Sequence, residues 1–314
     1  MPPYCGSENG KYSAAVASAS WLTDAADHLR VHTVFPHFLN LVWKQNLSLP
    51  VLADLIRASL IFVGTKIGLC CRHRSILYHG DVMEYLPNGF SLEIPQGCFP
   101  LSTDSMVLAH FVRLPRNARV LDLGSGCGTL GLLLCAQDPA CQVTGLEQDS
   151  HAHAAAEENI RRNGLCARMS SVCTDLRRFS LEAPPGSFSV CISNPPYFSG
   201  GPESAALARA RKETDCTLAQ LIQAAGRMLK YGGDFFLVHR PERLAQIIAL
   251  GASAGLEAKE LLLLRHRVGG PVNLILLRLR KGGKPGLILR EESLLDAAGE
   301  PTAFYQEVYH LNLS

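Results

Sequence analysis

Residues 120–128 read Val-Leu-Asp-Leu-Gly-Ser-Gly-Cys-Gly, VLDLGSGCG, and join two apolar runs of different period. Ala118 to Leu123 reads as a strand, and Thr129 to Ala136 as a helix. Between them Gly124, Gly126 and Gly128 alternate with other residues. Glycine turns tightly and lets a ligand approach the backbone without a Cβ in the way. Dinucleotide loops are spaced G-x-G-x-x-G, whereas here the spacing is G-x-G-x-G and position 129 is Thr. Asp122 stands two residues before the first glycine. A carboxylate there suits a cationic ligand better than a pyrophosphate.

Outward from this loop, strands and helices alternate. Gln142 to Glu147 is a strand and Ser150 to Asn163 a helix ended by Gly164. Arg168 to Cys173 and Phe188 to Ser193 are strands. Thr217 to Leu229 is a helix closed by Gly232-Gly233, followed by a strand Asp234 to Val238 and a helix Pro241 to Ser253. Glu257 to Leu264 and Val272 to Leu279 form a late pair joined by Val268-Gly269-Gly270-Pro271. The alternation predicts a parallel α/β sheet with an antiparallel finish. Two further acids follow successive strands. Glu147 ends the second, 23 residues after Gly124, where an acid accepts both hydroxyls of a ribose. Asp175 follows the third, where a carboxylate can accept from an adenine amino group. Each acid alone is an ordinary cap or surface residue; three in succession point to one bound cofactor.

The fourth strand ends in Ser193-Asn-Pro-Pro-Tyr-Phe-Ser-Gly-Gly201, SNPPYFSGG. A plain turn needs one proline or glycine. Pro195 and Pro196 fix the chain and remove two donors, so the Pro195 carbonyl can stand out as a held acceptor. The Asn194 amide oxygen supplies a second. Two acceptors gripping one NH₂ turn its lone pair out of conjugation and stabilise positive charge growing on nitrogen. Tyr197 offers a face on which a flat group stacks. Without the glycine loop the stretch reads first as a rigid turn with buried aromatics.

Taken together these residues resemble the class I S-adenosylmethionine-dependent methyltransferases. The resemblance covers about residues 90–280 and implies a Rossmann-like, seven-stranded α/β sheet whose last strand is antiparallel. It assigns Asp122, Gly124, Gly126, Gly128, Glu147 and Asp175 to S-adenosylmethionine. Asn194-Pro195-Pro196-Tyr197 resembles the motif of methyltransferases acting on planar NH₂ groups, either adenine N6 or the amide of glutamine. Upstream, LPNGFSLEIPQGCFPLSTDSMVLAHFV (residues 86–112) resembles the bacterial tRNA1(Val) adenine-37 N6-methyltransferases, which open with a short hairpin. In that subgroup the turn at Thr103 lines the cofactor pocket; locally Thr103 or Asp104 is also a helix N-cap. MLKYGGDFFLVHRPERLAQII and FYQEVYHL look like the same subgroup, so the resemblance extends over 83–314. It implies catalytic roles for Asn194, Pro195 and Tyr197. Pro196 and Phe198, with Arg211 and Lys212 just after the loop, would meet an RNA substrate around a flipped base. The basic run Arg278 to Lys284 is expected near the substrate side, on phosphates. A glutamine methyltransferase of release factors is the alternative reading, although residues 1–82 do not look like its helical N-terminal domain. A non-catalytic protein that binds cofactor or RNA is the third.

The bulk numbers fit this reading. The 314 residues are 47% hydrophobic and 18% charged, a globular composition long enough to bury about 70–75% of the unfolded surface. Residues 201–290 hold 15 basic against 7 acidic side chains, while 83–200 hold 8 against 11; the basic half suits a polyanion. Eleven cysteines without a CxxC pair read as reduced thiols of a cytoplasmic protein, with no signal for a metal. The opening MPPYCGSENG is not a secretory signal. The apolar segment 47–71 is broken by Pro50, Asp54, Arg57 and Lys66, so no membrane association is expected. Nothing reports the oligomeric state. Residues 1–82 read as an extension of unknown structure. Gly80-Asp81 can be encoded by a purine-rich string a few bases before Met83, so translation beginning at Met83 is one expectation and a genuine N-terminal appendage the other.

Overall fold

The computed structural model describes residues 76–78, 81–86, 89–195 and 216–310, all within one compact unit, Cys71–Ser314. In chain order the elements are β1 (Ile76–Tyr78), β2 (Asp81–Tyr85), β3 (Ser91–Ile94), α1 (Thr103–Phe111), β4 (Arg119–Leu123), α2 (Thr129–Gln137), β5 (Gln142–Glu147), α3 (Ser150–Arg162), β6 (Met169–Cys173) and α4 (Leu176–Glu182). There follow β7 (Phe188–Ser193), α5 (Leu218–Met228), β8 (Leu229–His239), α6 (Leu244–Ser253), β9 (Leu256–Arg267), β10 (Val272–Lys281), β11 (Ile288–Leu295) and α7 (Ala303–Val308). The main sheet has eight strands in the order β11-β9-β10-β8-β7-β4-β5-β6. All its pairings are parallel except those of β10, which is antiparallel to both β8 and β9. The expected seven strands with an antiparallel last member are therefore β4 to β10. β11 is an addition at the edge, parallel to β9. Its exposed Ile288 and Leu289 and its acids Glu291 and Glu292 break the alternation that a half-buried strand would show.

Successive side chains of a strand face opposite sides, and the core divides accordingly. Val120, Val190, Ile192, Phe236 and Leu276 pack on one face with Met106, Leu108, Leu132, Ile160 and Phe304, from α1, α2, α3 and α7. Leu121, Cys191, Phe235 and Leu277 pack on the other with Leu221, Ile222, Met228 and Ile247, from α5 and α6. Phe235 and Phe236 are neighbours in sequence and both fully buried, each burial worth about 1.5–3 kcal/mol.

Two expectations need correction. Gly232-Gly233 does not close a helix. The helix ends at Met228, and β8 runs on through the glycines. A register slip places Leu229 opposite Phe188 and Asp234 opposite Val190. A Cβ on Gly233 would stand 2.9 Å from the Ser189 carbonyl oxygen, so the close strand approach there requires glycine. The basic run 278–284 does not lie on the substrate side either. β10 runs antiparallel to β8, so the run leads away from the Ser193 end of the sheet, and Arg280 pairs in register with Asp234 midway along β8. Its guanidinium is spent on that carboxylate at 2.7 Å, Arg278 lies 3.3 Å from buried Glu260, and Lys281 Nζ donates to Leu229 O at 2.7 Å.

The small sheet β1-β2-β3 is antiparallel and begins ahead of Met83, which pairs with Ile76. Two asparagines one turn apart on α3 dock it. Asn163 Oδ1 accepts from Ser91 N at 2.9 Å and its Nδ2 donates to Ser91 O at 2.7 Å. Asn159, fully buried, does the same to Glu93 N (2.8 Å) and O (2.9 Å), and its Nδ2 also donates to Cys127 O in the glycine loop at 3.0 Å. The two amides act as the missing neighbour of β3. Asn159→Ala strands three backbone groups, one of them buried, and is expected to destabilise the chain by about 2 kcal/mol, read as the shift in a urea unfolding midpoint at unchanged slope.

Candidate active site

Because β4, β5, β6 and β7 are parallel, their C-terminal ends meet along one edge. Leu123 lies beside Leu146, Glu147 beside Cys173, and Asp122 beside Ile192. The glycine loop starts there. Gly124 N and Ser125 N both donate to Leu146 O at 3.0 Å, which folds the loop back over β5. Gly124, Gly126 and Gly128 have φ of +76°, +53° and +86°, the left-handed region that favours glycine. A Cβ at Gly124 or Gly126 would meet no atom among the described residues, so the space above them is open for a ligand.

Glu147 is tied to the loop rather than loose at the strand end. Its Oε2 accepts from Gly126 N and its Oε1 from Asp149 N, both at 2.8 Å. Each oxygen keeps a lone pair for a hydroxyl donor. Asp149 in turn caps α3, accepting from His151 N and Ala152 N.

Asp122 is fully buried and neither carboxylate oxygen has a hydrogen-bond partner among the described residues. Burial, with the nearby Glu147 charge adding to it, pushes its pKa up to about 8. The Ser125 hydroxyl is likewise buried without a partner. A buried carboxylate with no counter-charge is costly, and a cation bound over the loop would supply one. These residues fit S-adenosylmethionine, whose sulfonium and ammonium are cationic and whose ribose matches Glu147.

Asp175 follows β6 and caps α4, accepting from Arg177 N at 2.8 Å. The Arg177 guanidinium forks onto the same carboxylate, with Nε at 2.9 Å from each oxygen. That fork holds its pKa below the usual carboxylate range. Asp175 is thus ionised and shared before any ligand arrives. At the start of α1 the N-cap is Ser102, not Thr103 or Asp104; its Oγ accepts from Ser105 N at 3.3 Å. The Thr103 hydroxyl instead meets the Tyr309 hydroxyl at 3.1 Å, joining α1 to the C-terminal helix. Asp104 is largely buried, which raises its pKa against the pull of Arg240.

At the end of β7 the Ser193 hydroxyl, fully buried, donates to Leu123 O at 2.7 Å. Asn194 Nδ2 donates to Ser105 Oγ at 3.0 Å, which leaves Oδ1 as the amide's uncommitted end. The edge therefore brings together Asp122, the three glycines, Glu147, Asp175 and Asn194, while Thr103 turns to Tyr309. Pro196, Tyr197, Phe198, Arg211 and Lys212 lie outside the described residues, as do residues 1–75. Ser105, Asn159, Ser193 and Tyr309 were not singled out from the sequence. Ser105 sat inside the stretch read for its cap, and the other three carried no local signal.

Residues 101–250 match the family described as methyltransferase small domain. The tRNA1(Val) (adenine(37)-N6)-methyltransferase of Tolumonas auensis is 32% identical over 191 residues, 59% of this chain and 78% of that protein. The protein of the same name from Bacteroides fragilis is 30% identical over 173 residues, 54% of this chain and 73% of its own. The chain belongs to this methyltransferase family. A structure described as a predicted O-methyltransferase of Agrobacterium tumefaciens matches with a TM-score of 0.56 at 24% identity, over 66% of this chain and 96% of that one; it shows the shared fold. The cofactor of this methyltransferase is S-adenosylmethionine. Among the described residues no helix is long and apolar enough to cross a membrane, and no group of His, Cys, Asp and Glu is placed to hold a metal.

A carboxylate with a raised pKa favours the cofactor-free fold while protonated, so Asp122's contribution to that fold is lost as pH rises through about 8. A bound cation selects the ionised form. Cofactor binding at pH 6.5, followed by titration calorimetry in buffers of different ionisation enthalpy, is expected to release close to one proton. Asp122→Asn abolishes that release and weakens binding about tenfold, or about 1.4 kcal/mol.

Proposed function

We propose that this methyltransferase transfers a methyl group to the exocyclic N6 of an adenine in RNA, most simply an anticodon-loop adenine of a tRNA. The observation that supports the reading is that Asn194, where β7 leaves the sheet beside β4, commits its Nδ2 to Ser105 Oγ, which leaves Oδ1 as the end of the amide that would accept. The relatives named above are tRNA adenine-N6 methyltransferases, which agrees with a planar NH₂ as the acceptor group.

The cofactor supplies an electrophilic methyl on a sulfonium. The chain does the rest. Glu147 would take the ribose hydroxyls, Asp175 the adenine amino group and Asp122 the positive end. Asn194 Oδ1 and the Pro195 carbonyl would hold the substrate NH₂ and turn its lone pair toward the methyl carbon. As the carbon is taken, positive charge grows on that nitrogen, and the same two acceptors bind it more strongly than they bind the neutral amine. Tyr197, beside Pro196 and Phe198, would stack on the base, and Arg211 and Lys212 would meet phosphates around it. In-line approach of donor and acceptor supplies the remaining rate enhancement, and the methylated, cationic nitrogen would release its extra proton to solvent afterwards, so no side chain has to remove one first.

The glutamine amide of a release factor is a planar NH₂ as well, and the Asn194 geometry suits it equally. Incubation with labelled cofactor and separate pools of tRNA and release factor distinguishes the two. Label is expected in tRNA, as N6-methyladenosine after nucleoside digestion; label confined to the release factor replaces the reading. Asn194→Ala is expected to lower kcat at least 100-fold, about 2.7 kcal/mol, with cofactor affinity retained.

A further inference from the structure

The acceptor corner works only if one amide is the right way round. An asparagine side chain carries an acceptor and a two-proton donor at nearly superimposable positions. With Oδ1 toward the substrate amine it grips and polarises that group; turned over, it sets N–H against N–H. Backbone position does not choose between the two, so a neighbour must. Ser105 is that neighbour. It lies on α1, is 5% exposed, and its Oγ stands 3.0 Å from Asn194 Nδ2. The amide nitrogen has only protons to give, so the serine oxygen accepts. The serine's own proton has Ser102 Oγ within 3.4 Å, and Ser102 is itself fixed as the α1 cap by accepting from Ser105 N at 3.3 Å. With that proton given to Ser102 Oγ, the Ser105 hydroxyl would present its lone pairs to the amide.

We propose that Ser105 is a positioning residue that sets the orientation of the Asn194 amide, and through it the methyl-acceptor specificity of the site for an amine. Buried on α1 and bonded to the amide, it acts through Asn194. The proposal rests on the reading that Asn194 Oδ1 receives a substrate NH₂. Alanine at 105 removes the acceptor and lets the amide turn, which lowers turnover without touching the groups that hold the cofactor.

The test uses the full chain with Ser105→Ala and Ser105→Thr, measuring methyl transfer to tRNA at saturating cofactor, the cofactor Kd by calorimetry, and the Asn194 side-chain NH₂ signal in ¹⁵N-asparagine-labelled protein. That signal is identified by its loss in Asn194→Asp. Ser105→Ala is expected to lower kcat about tenfold with cofactor Kd unchanged, and to speed hydrogen exchange at the Asn194 NH₂; Ser105→Thr restores both. Wild-type kcat and wild-type exchange in Ser105→Ala overturn the proposal, as does a loss confined to cofactor affinity. The exchange is read without substrate. A chain that methylates no tRNA but shows the slow exchange and its loss in Ser105→Ala therefore contradicts the functional reading and leaves the positioning role standing.

Discussion

One buried hydrogen bond holds the two halves of the site at a fixed spacing. The ladder between β4 and β7 runs as far as Asp122 and Ile192. Beyond it the chains part, β4 into the glycine loop and β7 into Asn194-Pro195. The Ser193 hydroxyl bridges the parting by donating to Leu123 O at 2.7 Å, with no exposure to solvent. The parting is also where the sheet order reverses, with β5 and β6 on one side and β7 and β8 on the other, the place where open α/β sheets bind ligands. Methyl transfer depends on placing one carbon in line with one nitrogen, and small displacements are expensive in rate. The glycine loop and Asn194-Pro195 leave the sheet one residue from a common anchor.

The carboxylates around that anchor are not equivalent. Asp175 is ionised and forked by Arg177, and Glu147 is fixed by two backbone N–H groups. Asp122 is buried, has no hydrogen-bond partner among the described residues and is held high in pKa. Two are fixed by groups of the protein, and the third is held by burial in its protonated form.

Much of this was legible in the residue order. The β5 strand has the bounds its apolar run predicts, and the strand–helix alternation follows from period alone. The G-x-G-x-G spacing locates the loop because positive φ at alternate positions needs glycine. What was not legible depends on partners distant in sequence. Asn159 looks like any helix amide until Glu93 and Cys127 are seen beside it, and Ser105 like a cap until Asn194 arrives 89 residues later. Gly232-Gly233 has the composition of a helix stop, but the tight contact with Ser189 O puts it in a strand. The run 278–284 was misplaced because its charge suggested phosphates, whereas strand direction carries it away from the Ser193 end of the sheet, onto Asp234 and Glu260.

The most direct measurement is a crystal structure of the full chain with S-adenosylhomocysteine and a tRNA anticodon stem-loop. The account predicts a flipped adenine whose N6 lies within about 3.2 Å of both Asn194 Oδ1 and the Pro195 carbonyl oxygen, with Asn194 Nδ2 still on Ser105. An adenine N6 facing away from Asn194, or an Asn194 amide turned with its nitrogen toward the base, contradicts it.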